Sequence, residues 1–295
     1  MNGEPNGVLP VDKPEGPTSH DVVAGVRRAL RIRRVGHTGT LDPFASGLLL
    51  LCVGRATRLA EYLSRLGKTY RAVARLGVTT DTDDRTGREL ARSERWRELS
   101  AAAVEAAFTE QQGERLQVPP AFSAKRLEGE RLYRRARRGE ALAPAPVPVT
   151  IHRLEILVLE LPDVHFEVEC SSGTYVRAMA RDAGVALGTG AHLVTLRRTR
   201  IGPHEVAGAL PLDALEDAEA RARAWLTPLA VLAHLPAVEI TDEGARAGLR
   251  NGVPITLPDG APREGVVLAA WRGELLAVGE AVDGRLRPRK VFHDA

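Results

Sequence analysis

The stretch that decides the fold is Gly36–Leu51, GHTGTLDPFASGLLLL, which runs on through Cys52 and Val53. Small and polar residues crowd its first half, and a solitary acid, Asp42, stands before an unbroken apolar run. A continuous run of this length, bounded by turn residues, predicts a strand over about Leu48–Val53 with both faces covered by protein. Asp42 then sits on a loop at the mouth of a core strand. The nearest basic residues in sequence are Arg34 and Arg55, so a cation that keeps the carboxylate charged must come from elsewhere in the fold.

Working outward, TSHDVV opens an amphipathic helix with Ser19 as its cap and Val22, Val23, Val26, Ala29 and Leu30 on its apolar face. A helix through Leu59, Leu63 and Leu66, closed by Gly67, follows the apolar run. KTYRAVARLG alternates as a strand, with Tyr70, Ala72, Ala74 and Leu76 on one side, and DTDDRTG makes a tight acidic turn. Ser100 caps a further helix to about Gln112. The segment from Gln117 then changes to turn-forming prolines, a basic helix and a proline-rich exit, an excursion from the core. VTIHRLEILVLEL and VHFEVECSSG pair as antiparallel strands, TYVRAMARDAGVALG is a helix, AHLVTLRRTRIG is a strand, and LDALEDAEARARAWL is a solvated helix. Beyond Leu235 short alternating runs punctuated by Gly and Pro predict a small β-barrel. The fold class expected is α+β: a mixed, largely antiparallel sheet flanked by helices, plus that barrel.

The chain has 295 residues, 44% hydrophobic and 27% charged, enough for one catalytic core and one smaller domain. No apolar run reaches the roughly 18 residues of a membrane span, and the N-terminus carries no secretory pattern, so a cytoplasmic location is expected. Two cysteines, Cys52 and Cys170, exclude a disulfide framework and a four-cysteine zinc site; both read as small buried hydrophobes. The scattered histidines show no metal-ligand spacing, so no metal is expected and a metal-dependent RNA hydrolase is disfavoured. Net charge is only +3, but arginines cluster at 27, 28, 31, 33 and 34 and again at 134, 135, 137 and 138, which suggests a polyanionic partner.

Six blocks, in order and over nearly the whole chain, carry a resemblance: GVLPVDKPEGPTSHDVV, VGHTGTLDPFASGLL, KTYRAVARLGVTTDTDDRTG, QVPPAFSAKRLEGERLYRRARRG, CSSGTYVRAMARDAG and GAHLVTLRRTRIG. They resemble the TruB family of tRNA pseudouridine synthases, and the tail resembles the PUA domain that ends many bacterial members. The resemblance implies the pseudouridine synthase fold, with a catalytic domain over residues 1–234, an RNA-binding thumb insertion over about 117–147, and a PUA-like RNA-binding domain over 235–295. It implies isomerisation, without cofactor, of uridine 55 in the T-loop of tRNA, by a monomer that takes the T-stem-loop as partner.

By the same resemblance Asp42 is the nucleophile, attacking either the ribose C1′ or the uracil C6. Arg177 pairs with it, and Tyr70 stacks on the base and takes the C5 proton directly or through water. Tyr175 and Leu196 line the base pocket, and His37 engages the T-loop and holds the target nucleotide out of its stack. Lys125, Tyr133, Arg134, Arg135 and Arg138 belong to the thumb. Arg27–Arg34, Arg285, Arg287, Arg289 and Lys290 are expected at phosphates, and Lys13 supports the Asp42 loop. Where many members carry a lysine in the CSSGTY block, this chain has Ser172. An RNA-binding, tRNA-folding chaperone that works without chemistry is the alternative function from another class.

Overall fold

The computed structural model describes residues 5–122, 126–127, 130–131 and 144–292. In chain order the strands of its first part are β1 (Gly7–Lys13), β2 (Val35–His37), β3 (Ser46–Val53), β4 (Lys68–Leu76), β5 (Val78–Thr80), β6 (Glu89–Arg92) and β7 (Gly113–Gln117). There follow β8 (Arg126–Leu127), β9 (Glu130–Arg131), β10 (Val147–Glu160), β11 (Asp163–Cys170), β12 (Ala191–Ile201), β13 (His204–Glu205) and β14 (Leu210–Pro211). The helices there are α1 (Ser19–Leu30), α2 (Ala60–Ser64), α3 (Ala101–Thr109), α4 (Val176–Ala186) and α5 (Ala218–Ala224).

One ten-stranded sheet organises this part, in the order β14-β1-β3-β12-β4-β11-β10-β7, with β2 on β3 and β13 on β12. Its pairings are antiparallel except β1 with β14 and β3 with β12. The apolar run explains itself here through the two-residue period of a strand. Leu48, Leu50 and Cys52 of β3 enter one core, and Leu49, Leu51 and Val53 enter another on the opposite face. A third core gathers Tyr70, Ala72, Ala74 and Leu76 of β4 with α3 and α4. Gly47, the second residue of β3, has φ +106°, and a Cβ there would lie 2.2 Å from the Arg198 carbonyl oxygen of β12. Only glycine lets these two parallel strands approach so closely.

A second, five-stranded sheet follows: β15 (Ala237–Glu239), β16 (Ile255–Thr256), β17 (Gly265–Trp271), β18 (Glu274–Val282) and β19 (Arg285–Val291), in the order β15-β17-β18-β19-β16. It is a curled half-barrel with α6 (Glu243–Arg250) against it. Leu268, Leu275, Val278 and Phe292 join the core that also holds Leu48, Leu50 and Leu63, so the two sheets are packed through shared apolar surface. Arg58 reinforces the junction by donating to the Val291 carbonyl at 2.6 Å and lying over the Phe292 ring, and Lys290 pairs with Glu61.

Three local expectations change. Thr18, not Ser19, caps α1, in a reciprocal capping box with Asp21; Ser19 is thereby carried into the first turn and buried. The helix expected through Leu59, Leu63 and Leu66 is a 3₁₀ turn over Gly54–Leu59 followed by the short α2, and it ends at Ser64 before Gly67 is reached. The solvated helix near residue 217 is broken, because the Asp217 side chain accepts from the Glu219 and Ala220 amides and starts α5 afresh after a 3₁₀ turn over Leu212–Glu216. The Ser100 cap, the alternation of β4 and the β10–β11 pair are as expected. Both cysteines are fully buried, and burial pushes both thiols up, Cys170 to about 11.

Candidate active site

Asp42 is carried on a loop that is anchored at every turn. The buried Ser19 hydroxyl accepts from the Leu41 amide at 2.9 Å and donates to its carbonyl at 3.1 Å. The Gly16 amide donates to the Pro43 carbonyl at 2.8 Å, and Leu41, Phe44 and Ala45 insert into the core on either side of the acid. Beneath the loop lies Arg198, 1% exposed, whose guanidinium donates to the carbonyls of Leu48 at 2.7 Å and Gly39 at 3.0 Å. A buried arginine turned onto carbonyls fixes the loop and places positive charge below Asp42.

The missing cation is Arg177, in the first turn of α4. Its Nε lies 3.0 Å from an Asp42 carboxylate oxygen. Its Nη1 donates to the Thr82 carbonyl at 2.7 Å and lies 3.2 Å from Asp84, and its Nη2 donates to the Phe122 carbonyl at 2.8 Å. Asp84 is held in turn by the Thr82 hydroxyl and by the Thr86 amide and hydroxyl. Arg177 is therefore clamped between two carboxylates from different loops. One helical turn on, Arg181 pairs with Asp83 of the same acidic turn at 3.1 Å, as the i, i+4 spacing of one helix face allows. Gln117 of β7 fixes the start of α4 by bonding both the amide and the carbonyl of Tyr175.

These elements enclose a cavity of about 310 Å³, at the lower end of the range for ligand sites, about 300–1,000 Å³. Asp42, Tyr70, Tyr175, Arg177 and Leu196 all line it. The Asp42 side chain is 35% exposed because it opens into that cavity. The protein around it still lifts its carboxyl above the usual range, burial being the largest cause; Arg177 opposes that shift and Asp84 adds to it. Tyr70 is 8% exposed, and burial pushes its phenol up, with Arg198 opposing, so the hydroxyl is protonated at neutral pH. His37 ends β2 outside the residues that line the cavity, edge-on to His20 at 5.8 Å between ring centroids. Its Nδ1 accepts from the Gly39 amide at 3.3 Å, which in the neutral ring leaves the proton on Nε2.

Lys13 is fully buried behind the loop, donates to the Pro14 carbonyl, and is pushed down to about 8, mainly by burial. Of the expected phosphate contacts, Arg28, Arg31, Arg33, Arg285 and Arg287 are exposed. Arg27 and Arg34 also bond the Val35 carbonyl and the Thr57 hydroxyl, Arg289 pairs with Glu280, and Lys290 with Glu61. Lys125, Tyr133, Arg134, Arg135 and Arg138 lie outside the described residues. Among the described residues no helix is long and apolar enough to cross a membrane, and no group of three or more His, Cys, Asp or Glu is gathered as for a metal.

Three site residues escape the sequence reading. Asp84 stands 93 positions before Arg177 inside what reads as a plain acidic turn; its signal is the pair of threonines two residues to either side, which can saturate a carboxylate. Arg198 betrays itself by falling in phase with Leu196 on the inward face of β12. Lys68 does the same with Tyr70 on β4: it is 6% exposed, lines the cavity, and is pushed down to about 8, chiefly by burial.

Known proteins share this architecture and the sequence that builds it. Residues 27–176 match the family model for TruB family pseudouridylate synthase, N terminal domain, and residues 177–233 match that for tRNA pseudouridylate synthase B C-terminal domain. The two matches stop short of the second sheet, and neither is a PUA model. The tRNA pseudouridine synthase B of Burkholderia lata is 44% identical over 97% of this chain and 90% of its own length. That of Gloeobacter violaceus is 44% identical over 97% of this chain and 98% of its own. A solved structure of an H/ACA RNP bound to a substrate RNA containing 2′-deoxyuridine superposes with a TM-score of 0.75 at 28% identity, covering 98% of this chain and 85% of that one. With its clamped aspartate on a sheet of this topology and relatives matched end to end, the chain belongs to the TruB family of pseudouridylate synthases.

Proposed function

We propose that this protein is a tRNA pseudouridine synthase that isomerises uridine 55 of the T-loop without a cofactor. The observation that carries the proposal is the Asp42 carboxylate, held at 3.0 Å by the Arg177 guanidinium inside a nucleotide-sized cavity walled by Tyr70, Tyr175 and Leu196. Burial favours the neutral acid, and the arginine opposes that shift and favours the ionised form that acts as nucleophile.

Asp42 attacks C1′ or C6, the glycosidic bond to N1 breaks, the uracil turns, and C5 rejoins C1′. Tyr70 stacks on the base, and as a neutral phenol it relays the C5 proton, directly or through water, without accumulating charge. Tyr175 and Leu196 hold the detached base. His37 engages the T-loop and, with the thumb residues Lys125, Tyr133, Arg134, Arg135 and Arg138, holds the target nucleotide out of the stack, which costs about a few kcal/mol. Residues 1–234, with the thumb over about 117–147, do the chemistry. Residues 235–295, a PUA-like half-barrel, extend the RNA surface. The protein works as a monomer in the cytoplasm on the T-stem-loop.

Unmodified tRNA incubated with the protein and then probed with a pseudouridine-specific chemical tag tests this. The expected product is one pseudouridine at position 55; tight binding with no product would instead favour a chaperone. Binding should also weaken steeply with salt, because each phosphate that a basic side chain neutralises releases condensed counterions. A flat response contradicts extensive phosphate contact by the arginine clusters.

A further inference from the structure

Three basic side chains line the cavity: Arg177, Arg198 and Lys68. Arg177 faces two carboxylates, and Arg198 is turned onto the carbonyls that hold the Asp42 loop. Lys68 differs. Its Nζ donates to the carbonyls of Ser64 at 2.6 Å and Leu66 at 2.5 Å, which uses two of the three N–H groups of an ammonium. No carboxylate pairs with it among the described residues. The ionisable groups that bear on it are the Arg198 guanidinium from β12, which repels it, and the Cys170 thiol from β11. A buried cation so placed is costly unless negative charge arrives. Lys68 also projects from the same face of β4 as Tyr70, two residues away and so about 7 Å along the strand.

The reaction supplies negative charge next to Tyr70 by either route. If Asp42 attacks C1′, a C1′–O bond forms, the C1′–N1 bond breaks, and its electron pair delocalises from N1 onto the uracil carbonyls. If Asp42 attacks C6, a C6–O bond forms and negative charge passes from the C5–C6 π bond through C4 onto O4; the C1′–N1 bond of the adduct then breaks and leaves its electron pair on N1, conjugated with the C2 carbonyl. Rejoining through a C5–C1′ bond expels the Asp42 carboxylate from the carbon it attacked, C5 gives up its proton and N1 takes one up, which restores the enzyme. Both routes load a carbonyl oxygen of the base. We propose that Lys68 is a catalytic residue, its free N–H meeting a uracil carbonyl and stabilising the negative charge that the reaction places there. This rests on the pseudouridine synthase reading, and it is independent of which carbon Asp42 attacks.

The test is single-turnover and steady-state pseudouridine formation on unmodified tRNA by wild type, Lys68→Met and Lys68→Arg. Removing one preorganised donor to developing charge costs about 10²–10³-fold in rate. Lys68→Met is therefore expected to lose about that factor in kcat, with KM for tRNA within about threefold. Because Lys68 titrates near 8, the wild-type rate should fall as pH rises through that value. Arginine stays charged throughout, so Lys68→Arg should carry its activity to higher pH. An unchanged kcat in Lys68→Met, with only a lowered Tm, reduces Lys68 to a clasp on the end of α2. A rise confined to KM assigns it to a phosphate. Either result overturns the proposal, as does a Lys68→Arg profile that keeps the wild-type alkaline fall, the deciding comparison should Lys68→Met not fold. No product from wild type defeats the function itself, whereas equal kcat for wild type and Lys68→Met defeats only the role of Lys68.

Discussion

Asp42→Asn should abolish pseudouridine formation, by about 10⁴-fold or more, while tRNA binding stays within a few-fold of wild type. The amide keeps the shape of the side chain and loses the charge and nucleophilicity on which the proposed chemistry depends. It should not lower the stability of the free protein. Burial raises the Asp42 pKa above its unfolded value. The folded state therefore holds that proton more tightly than the unfolded one, and the contribution of Asp42 to stability is lost as pH rises through the folded value. At neutral pH the carboxylate is a cost to the fold, and Asn relieves it. Arg177 still keeps Asp84, at 3.2 Å. Equal product from Asp42→Asn and wild type, at matched tRNA occupancy, removes Asp42 as the nucleophile.

Arg177→Met should strike stability and activity together. The side chains of Arg177 and Asp84 are each 5% exposed, and truncating one member of a buried pair typically costs about 3–5 kcal/mol, because the other charge is left uncompensated. Denaturant unfolding measures this as a lower midpoint with little change in slope. Adding Asp84→Asn removes the orphaned charge and should return part of the lost stability, an interaction energy a double-mutant cycle isolates. It should not return activity. Asp42 would still lack the guanidinium at 3.0 Å, so its carboxyl rises further and any residual rate moves to higher pH. Recovery of both stability and rate in the double variant contradicts the dual role of Arg177.

What the sequence makes legible follows from the range of the forces involved. The apolar run before Val53 declares a strand covered on both faces, and β3 is one, with odd and even residues in separate cores. The alternation in KTYRAVARL declares β4 and its inward Tyr70. Both are local patterns with a period of two. The junction of the two sheets is not legible, because Arg58 finds its partner 233 residues away and no local pattern encodes that contact. Local competition explains the smaller misses: two adjacent hydroxyls, Thr18 and Ser19, can each cap α1, and burial of Ser19 under Leu41 settles the choice. In the site, Asp42, Tyr70, Tyr175, Arg177 and Leu196 are marked by family blocks, and the fold draws them to one cavity. Asp84, Arg198 and Lys68 lie in the same blocks. What distinguishes them is burial and three-dimensional pairing, which a linear reading does not carry.

The central claim is that Asp42 acts on the T-loop uridine itself. A structure of the protein with a T-stem-loop carrying 5-fluorouridine at position 55 tests it most directly, since the fluorine blocks loss of the C5 substituent. The expected result is a flipped fluorouridine stacked on Tyr70, with an Asp42 carboxylate oxygen bonded to, or in contact with, C1′ or C6. A nucleotide left in the loop stack, or one bound in the cavity with Asp42 turned away from both carbons, would contradict it.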